Sequence, residues 1–249
     1  MGKRYKTTYT IPFYETDASH CAKISHLLSV VLQVSGIQSA QLGLSDQYLL
    51  DHYGLVWVVT DYAITIDRLP VFSETIIIET EAKSYTKLFS NRETQILAQD
   101  GQKLMTISAT FVLIDFETRR PAPIPKELMT IYDADFVKSI NRSPKYPLLT
   151  ETQEMTCPVR YFDLDMNGHV NNSKYLEWLY DAMPLDFLKE HYPKQINLKY
   201  LKEVYHGATI VSQVQLTDTT SHHQITSDGN IKAQARIEWQ PFPITKKTC

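Results

Sequence analysis

The chain repeats itself. Its first half runs PFYETDASHCAKIS, a long apolar stretch, several alternating segments and a QDGQ turn before LMTISATFVLID. The second half runs RYFDLDMNGHVNNSKYLEWLYDAM, further alternating segments and an SDGN turn before IKAQARIEWQPF. Tyr14, Glu15 and Asp17 thereby line up with Phe162, Asp163 and Asp165, and Asp100-Gly101 with Asp228-Gly229. Each Asp-Gly pair lies between strand-like runs, where glycine accepts a positive φ and a tight hairpin forms. Two similar copies are therefore favoured over one large domain, and 249 residues suffice for two modest cores.

Within the first copy, Ile24, Leu27, Leu28, Val31, Val34 and Ile37 recur at helical steps, flanked by Val30 and Leu32, so this helix should be nearly surrounded by protein. LVWVVTDYAITID, ETIIIETEAKSYT, FSNRETQILAQ and KLMTISATFVLID are rich in β-branched and aromatic residues with partial alternation, as in an antiparallel sheet. The fold class is α+β, with one buried helix and four or five antiparallel strands per copy. The connector from Arg119 to Pro147 holds five prolines and one short helix starting near Lys126. The expected division is residues 1–130, a linker at 131–152, and residues 153–249.

Composition narrows function by exclusion. With 25 Lys+Arg against 28 Asp+Glu, the net charge of -3 gives no reason to expect nucleic acid or an anionic membrane as partner. Apolar runs such as Ile76-Ile77-Ile78 fall short of the roughly 20 residues a bilayer needs, and MGKRYKTTYT has no signal-peptide core. Cys21, Cys157 and Cys249 are odd in number and lack C-x-x-C spacing, which argues against disulfides or a zinc cluster and for a reducing cytoplasm. Cys21 and Cys157 read as inert buried thiols, and His222-His223 as a solvated turn or strand pair.

The segment Asp163-Leu164-Asp165-Met166-Asn167-Gly168-His169-Val170-Asn171-Asn172-Ser173-Lys174-Tyr175 concentrates the chemistry. Asn-Gly indicates a turn, and Asn171, Asn172 and Ser173 are good helix caps, so a helix should start there, run through Met183 and end at Pro184. One reading is purely local, with Asp and Asn shaping a turn. A calcium loop is another, since Asp163, Asp165, Asn167 and Gly168 match its first, third, fifth and sixth positions. Lys174 stands where the bidentate Glu belongs, however, and would repel the ion. The third reading is a hydrolytic site.

The stretch DLDMNGHVNNSKYLEW resembles the Asp-x-Asn-x-His-Val-Asn-Asn-x-Lys-Tyr motif of the acyl-[acyl-carrier-protein] thioesterases, and Tyr200-Leu201-Lys202-Glu203 resembles their Tyr-x-x-Glu, expected on the following strand. The resemblance implies tandem hot-dog repeats, each an antiparallel sheet wrapped around a long central helix. It also implies hydrolysis of fatty acyl-carrier-protein thioesters, with Asp165, Asn167, His169 and Glu203 as the catalytic set and no cofactor or metal. Plant members often carry Cys after that Glu; here Val204 excludes a thiol nucleophile at that position. They also carry plastid transit peptides, and the start of this chain favours a bacterial cytoplasmic protein.

Thioester hydrolysis needs an aimed water, a base and oxyanion donors. A pantetheine thiol, with a pKa of about 8.5, leaves without a strong general acid. Glu203 would activate the water directly or with His169, Asn167 would hold water or carbonyl, and Asp165 would orient the loop. Amides at the start of the following helix suit the oxyanion. Copy one offers Asp17, Ser19, Cys21 and Leu69 in place of Asp165, Asn167, His169 and Glu203, so catalysis should be single-sited and the first copy should shape the acyl pocket. The expected partner is acyl carrier protein bearing a fatty acyl-phosphopantetheine, met by Lys174 and Lys202; a homodimer is left open. Alternatives are an acyl-CoA thioesterase or dehydratase of the same fold and a non-catalytic acyl-binding module.

Overall fold

The computed structural model describes residues 2–140 and 143–243, in two compact units, Met1–Arg142 and Ser143–Cys249. Cys249 lies outside the described residues. The first unit contains β1 (Arg4–Thr10), α1 (Ile24–Gln41), α2 (Asp46–Tyr53), β2 (Leu55–Ile66), β3 (Thr75–Tyr85), β4 (Phe89–Ala98), β5 (Lys103–Asp115), β6 (Pro121–Ala122), α3 (Lys126–Tyr132) and β7 (Asp135–Phe136). The second contains β8 (Gln153–Pro158), α4 (Asn172–Asp181), α5 (Leu185–Glu190), β9 (His191–Tyr200), β10 (Thr209–Thr217), β11 (Thr220–Ser227) and β12 (Asn230–Pro241).

The repeat is visible in the strand order. The first sheet runs β1-β3-β4-β5-β2 and the second β8-β10-β11-β12-β9, antiparallel at every step. Each main helix enters between the first and second strand of its unit and packs on the sheet, α1 on β3 and α4 on β10 and β11, the hot-dog arrangement. The Asp-Gly pairs close the equivalent hairpins. Asp228 (φ 51°) and Gly229 (φ 69°) form a two-residue turn between paired Ser227 and Asn230. In the first unit Asp100 Oδ1 accepts the Gln102 amide and Gly101 takes φ 88°.

The α1 stripe forms the first core: Ile24, Leu27, Leu28, Val31 and Val34 are buried, as are Ile76, Ile78 and Ile96 on the facing strands. Gln38 on the same helix reaches a buried cation. Arg92 on β4 donates to Gln38 Oε1 and to Thr80 Oγ1 at 3.2 Å, and its guanidinium lies 5.5 Å from the centre of the Tyr132 ring. Burial pulls the Arg92 pKa down, and the Tyr132 interaction partly opposes this. Desolvating a cation is costly, so this cluster pins α1, two strands and α3 to one another.

Three expectations change. The helix after the motif spans Asn172–Asp181 and is followed by a second short helix, for which Pro184 is the N-cap residue. Proline has no N–H with which to continue the first helix, while its carbonyl accepts the Leu188 amide that opens the second. In the first unit, α2 follows α1, capped by Ser45, whose hydroxyl accepts the Tyr48 amide, and closed by Gly54 at φ 65°. His223 is not solvated: it faces the interior of β11, 2% exposed, its Nε2 2.7 Å from Ser221 Oγ, which also accepts the Trp239 indole N–H at 2.8 Å. Burial, and secondarily His222, push its pKa down to about 3.

Candidate active site

A tight loop between a 3-10 turn (Tyr161–Asp163) and α4 carries the motif. Asp165 shapes it: its amide donates to the His169 carbonyl (2.8 Å), its carbonyl accepts the Gly168 amide (3.1 Å), and Oδ1 accepts the Asn167 amide (2.8 Å). Gly168 takes φ 78°, which lets the chain turn back without a Cβ penalty. Asp163 is buried; its Oδ2 accepts the Arg160 amide at 2.8 Å and its Oδ1 lies 3.3 Å from Lys174 Nζ. Asn171 caps α4, Oδ1 accepting the Ser173 amide at 3.0 Å. Tyr200, at the end of β9, donates its hydroxyl to the Asn172 carbonyl (2.7 Å) and packs edge-on against Tyr175.

This loop is laced to the segment after β9. The Val170 amide donates to the Val204 carbonyl (3.0 Å), and His169 pairs with Tyr205 in an isolated antiparallel bridge. Directly opposed residues in such a pair share one side, and residues two apart in extended chain share it too. Glu203 and Tyr205 therefore join His169, while Val204, 1% exposed, points away. His169 Nε2 lies 3.4 Å from Glu203 Oε2, the Tyr205 hydroxyl donates to the same oxygen at 2.9 Å, and the His169 and Tyr205 rings meet edge-on at 5.1 Å. The His169 and Glu203 side chains are 22% and 34% exposed, half-sheltered but open to a substrate. Lys232 Nζ donates to the Glu203 carbonyl at 3.4 Å.

Of the expected set, the structure thus brings His169 and Glu203 into contact and uses Asp165 as the loop's organiser. Asn167 sits on the exposed turn, and no described hydrogen bond or ion pair joins its side chain to His169 or Glu203. Glu203 is not on a strand. The amides of Leu201 and Lys202 both donate to the Lys232 carbonyl, so the ladder ends at Tyr200 and alternation does not govern where Lys202 points. Lys174 is also less available than its sequence position suggests. Its ammonium lies 2.6 Å from Glu177 as well as near Asp163; burial alone would lower its pKa, but these carboxylates raise it.

The first unit keeps the same frame without the chemistry. Asp17 N–H donates to the Cys21 carbonyl, His20 N–H to the Asp17 carbonyl and Ser19 N–H to Asp17 Oδ1. Ala22 N–H donates to the Pro70 carbonyl, and Cys21 pairs with Val71. His20 holds the positive φ (60°) that Gly168 holds in the second unit. Cys21, Leu69 and Val71 therefore occupy the places of His169, Glu203 and Tyr205, and Cys21 and Leu69 are both buried.

Two family models cover most of the chain: the acyl-ACP thioesterase N-terminal domain matches residues 2–132 and the C-terminal domain residues 146–241. The chain belongs to the acyl-ACP thioesterase family. A solved structure from Lactobacillus plantarum, provisionally named an oleoyl thioesterase, is 32% identical, with a TM-score of 0.92 over 97% of this chain and 98% of that one. An acyl-ACP thioesterase from Bacteroides thetaiotaomicron has the same fold, at 20% identity and a TM-score of 0.86 over 95% and 98% of the two chains. The chloroplastic palmitoyl-acyl carrier protein thioesterase of Gossypium hirsutum is 25% identical over 96% of this chain; the chain spans 64% of that protein's length.

In this acyl-ACP thioesterase family member the supporting residues were hidden in the sequence. Tyr205 and Lys232 meet Glu203 only through backbone pairing that no motif encodes, although Tyr205 follows the Glu by the two residues that put both side chains on one side of an extended chain. Tyr175, on α4, receives a backbone hydrogen bond from Val204; its burial, and then the charge of Glu203, hold its phenol above the ordinary value. Among the described residues no three His, Cys, Asp or Glu side chains cluster closely enough to hold a metal ion. Cys157 is half-buried, and its burial, then the charge of Asp163, push its thiol pKa up, away from nucleophile chemistry.

Proposed function

We propose that the chain hydrolyses fatty acyl thioesters carried on acyl carrier protein, releasing the free fatty acid in a bacterial cytoplasm, with one active site in the second unit. The observation that carries this is the 3.4 Å approach of His169 Nε2 to Glu203 Oε2, on a loop clamped by Asp165, in a chain matched across both halves by the family. The His169–Glu203 pair takes a proton from water; the oxygen adds to the carbonyl carbon; collapse breaks the C–S bond, and the thiolate leaves and is protonated. Val204 follows Glu203, so no thiol stands at that position to act in place of water. The oxyanion is assigned to the start of α4. There the Ser173 amide is taken by Asn171 Oδ1 and the Lys174 amide by the Asn171 carbonyl, which leaves the Asn172 amide as the donor. Asn167 is assigned to substrate or water on the open side of the loop.

The first unit, with Cys21, Leu69 and Val71 in place of the polar trio, is assigned to the acyl chain. The bacterial sources of the two solved relatives support the setting. A pure acyl-binding module is the rival, but it has no use for a carboxylate held against an imidazole. The test is incubation with acyl-carrier-protein, acyl-CoA and hydroxyacyl substrates, following free thiol and dehydration separately. Thiol release fastest from the carrier protein is expected. Dehydration without thiol release, or binding without either, would replace the reading.

A further inference from the structure

From these contacts we infer that Tyr205 is a positioning residue for hydrolysis, acting through Glu203; this rests on the thioesterase reading. Three observations converge. First, its phenol donates to Glu203 Oε2 (2.9 Å), the oxygen that faces His169 Nε2 at 3.4 Å, so one hydroxyl decides where the reacting edge of the carboxylate points. Second, its ring meets the His169 imidazole edge-on at 5.1 Å, so the same side chain limits rotation of both members of the pair. Third, the two units retain matching loop frames, and in the first unit the three side chains that share this side are all replaced together: Cys21 for His169, Leu69 for Glu203, Val71 for Tyr205. A tyrosine serving only to fill space would have no reason to disappear with the acid and the imidazole. Tyr205 is moreover 53% exposed, so it contributes little to the core.

The chemistry follows from geometry. A carboxyl group beside an imidazole can rotate about its last bond, and such rotation removes Oε2 from His169. A donor fixed by the backbone bridge at Tyr205 restrains that rotation without supplying a charge. Removing the hydroxyl alone should lower kcat by about tenfold, because the carboxylate loses the donor that fixes its reacting oxygen. KM should stay near wild type, because the phenol acts on the carboxylate and not on the acyl chain.

The test compares Tyr205→Phe, which keeps the ring, with Tyr205→Leu, which loses both, on an acyl carrier protein substrate, and repeats Tyr205→Phe in a Glu203→Ala background under excess enzyme. The expected result is a kcat loss of about tenfold for Tyr205→Phe, a larger loss for Tyr205→Leu, unchanged thermal unfolding, and less than about a threefold further effect once Glu203 is absent. A Tyr205→Phe enzyme with wild-type kcat, an equal loss in the Glu203→Ala background, or a lowered unfolding temperature accounting for the loss would each overturn the assignment while leaving the thioesterase reading standing. Wild-type protein that releases no thiol would sink both.

Discussion

His223 shows how a residue type common at catalytic sites can serve the fold instead. Its imidazole is sealed between β11 and the interior, bonded to Ser221, and held neutral, with burial pushing its pKa down to about 3. In the unfolded chain the same group protonates near 6.5. Above that pH the two states bind the same number of protons, and this residue gives no pH dependence. As pH falls from about 6.5 towards 3 the unfolded chain takes up a proton that the folded one refuses, so stability declines through that window, approaching about 1.4 kcal/mol per pH unit. Denaturant unfolding at pH 7 and pH 4.5 should show a smaller acid loss in His223→Asn than in wild type; equal losses would mean other groups govern the acid limb. The sequence could not reveal this. Neighbouring His222 and His223 look alike, and only the alternation of β11, fixed by pairing with β10 and β12, sends one inward. His169 was singled out by the resemblance of DLDMNGHVNNSKYLEW to a family motif, since the polar residues around it fit a simple turn equally well.

At the scale of elements, the strands of the first unit read clearly because they are rich in β-branched and aromatic residues, and α1 because its apolar stripe was long. Of the short helices, α3 was read from its start near Lys126, but α2 and α5 were not. Only eight residues lie between the Ser45 cap and Gly54, too few for a periodic stripe to stand out. The placement of Glu203 failed on another ground, since two amides sharing the Lys232 carbonyl end β9 early, an event of pairing and not of composition. The Arg92 cluster gives a sharp prediction at this scale. Gln38→Leu removes the acceptor and leaves a buried cation short of a partner, so it should cost about 2–3 kcal/mol. Arg92→Met removes the charge together with its need for partners and should cost much less. Chemical denaturation of both variants decides it, and a reversed order would show that the guanidinium contributes net stability.

At the scale of the whole molecule, the net charge of -3 means that an acidic carrier protein, the partner in the proposed function, would have to be met by a local cationic surface. Lys202 is exposed, with its ammonium 2.9 Å from Asn230 Oδ1, whereas Lys174 is compensated by Asp163 and Glu177. Lys202→Glu should raise KM for acyl carrier protein substrates, most at low salt, and leave a short acyl-pantetheine almost unaffected. Lys174→Glu should instead lower stability, because it sets a third carboxylate beside two. An equal effect of Lys202→Glu on both substrates would place that lysine at the chemistry and not at docking. The central claim is that hydrolysis happens once per chain, at His169 and Glu203 of the second unit. It is tested most directly by the turnover of His169→Ala and Glu203→Ala on an acyl carrier protein substrate, each checked for a native fold. Losses of roughly 10² to 10⁴ in kcat are expected for each, the range for removing a general acid or base. Folded variants turning over near the wild-type rate would contradict the account.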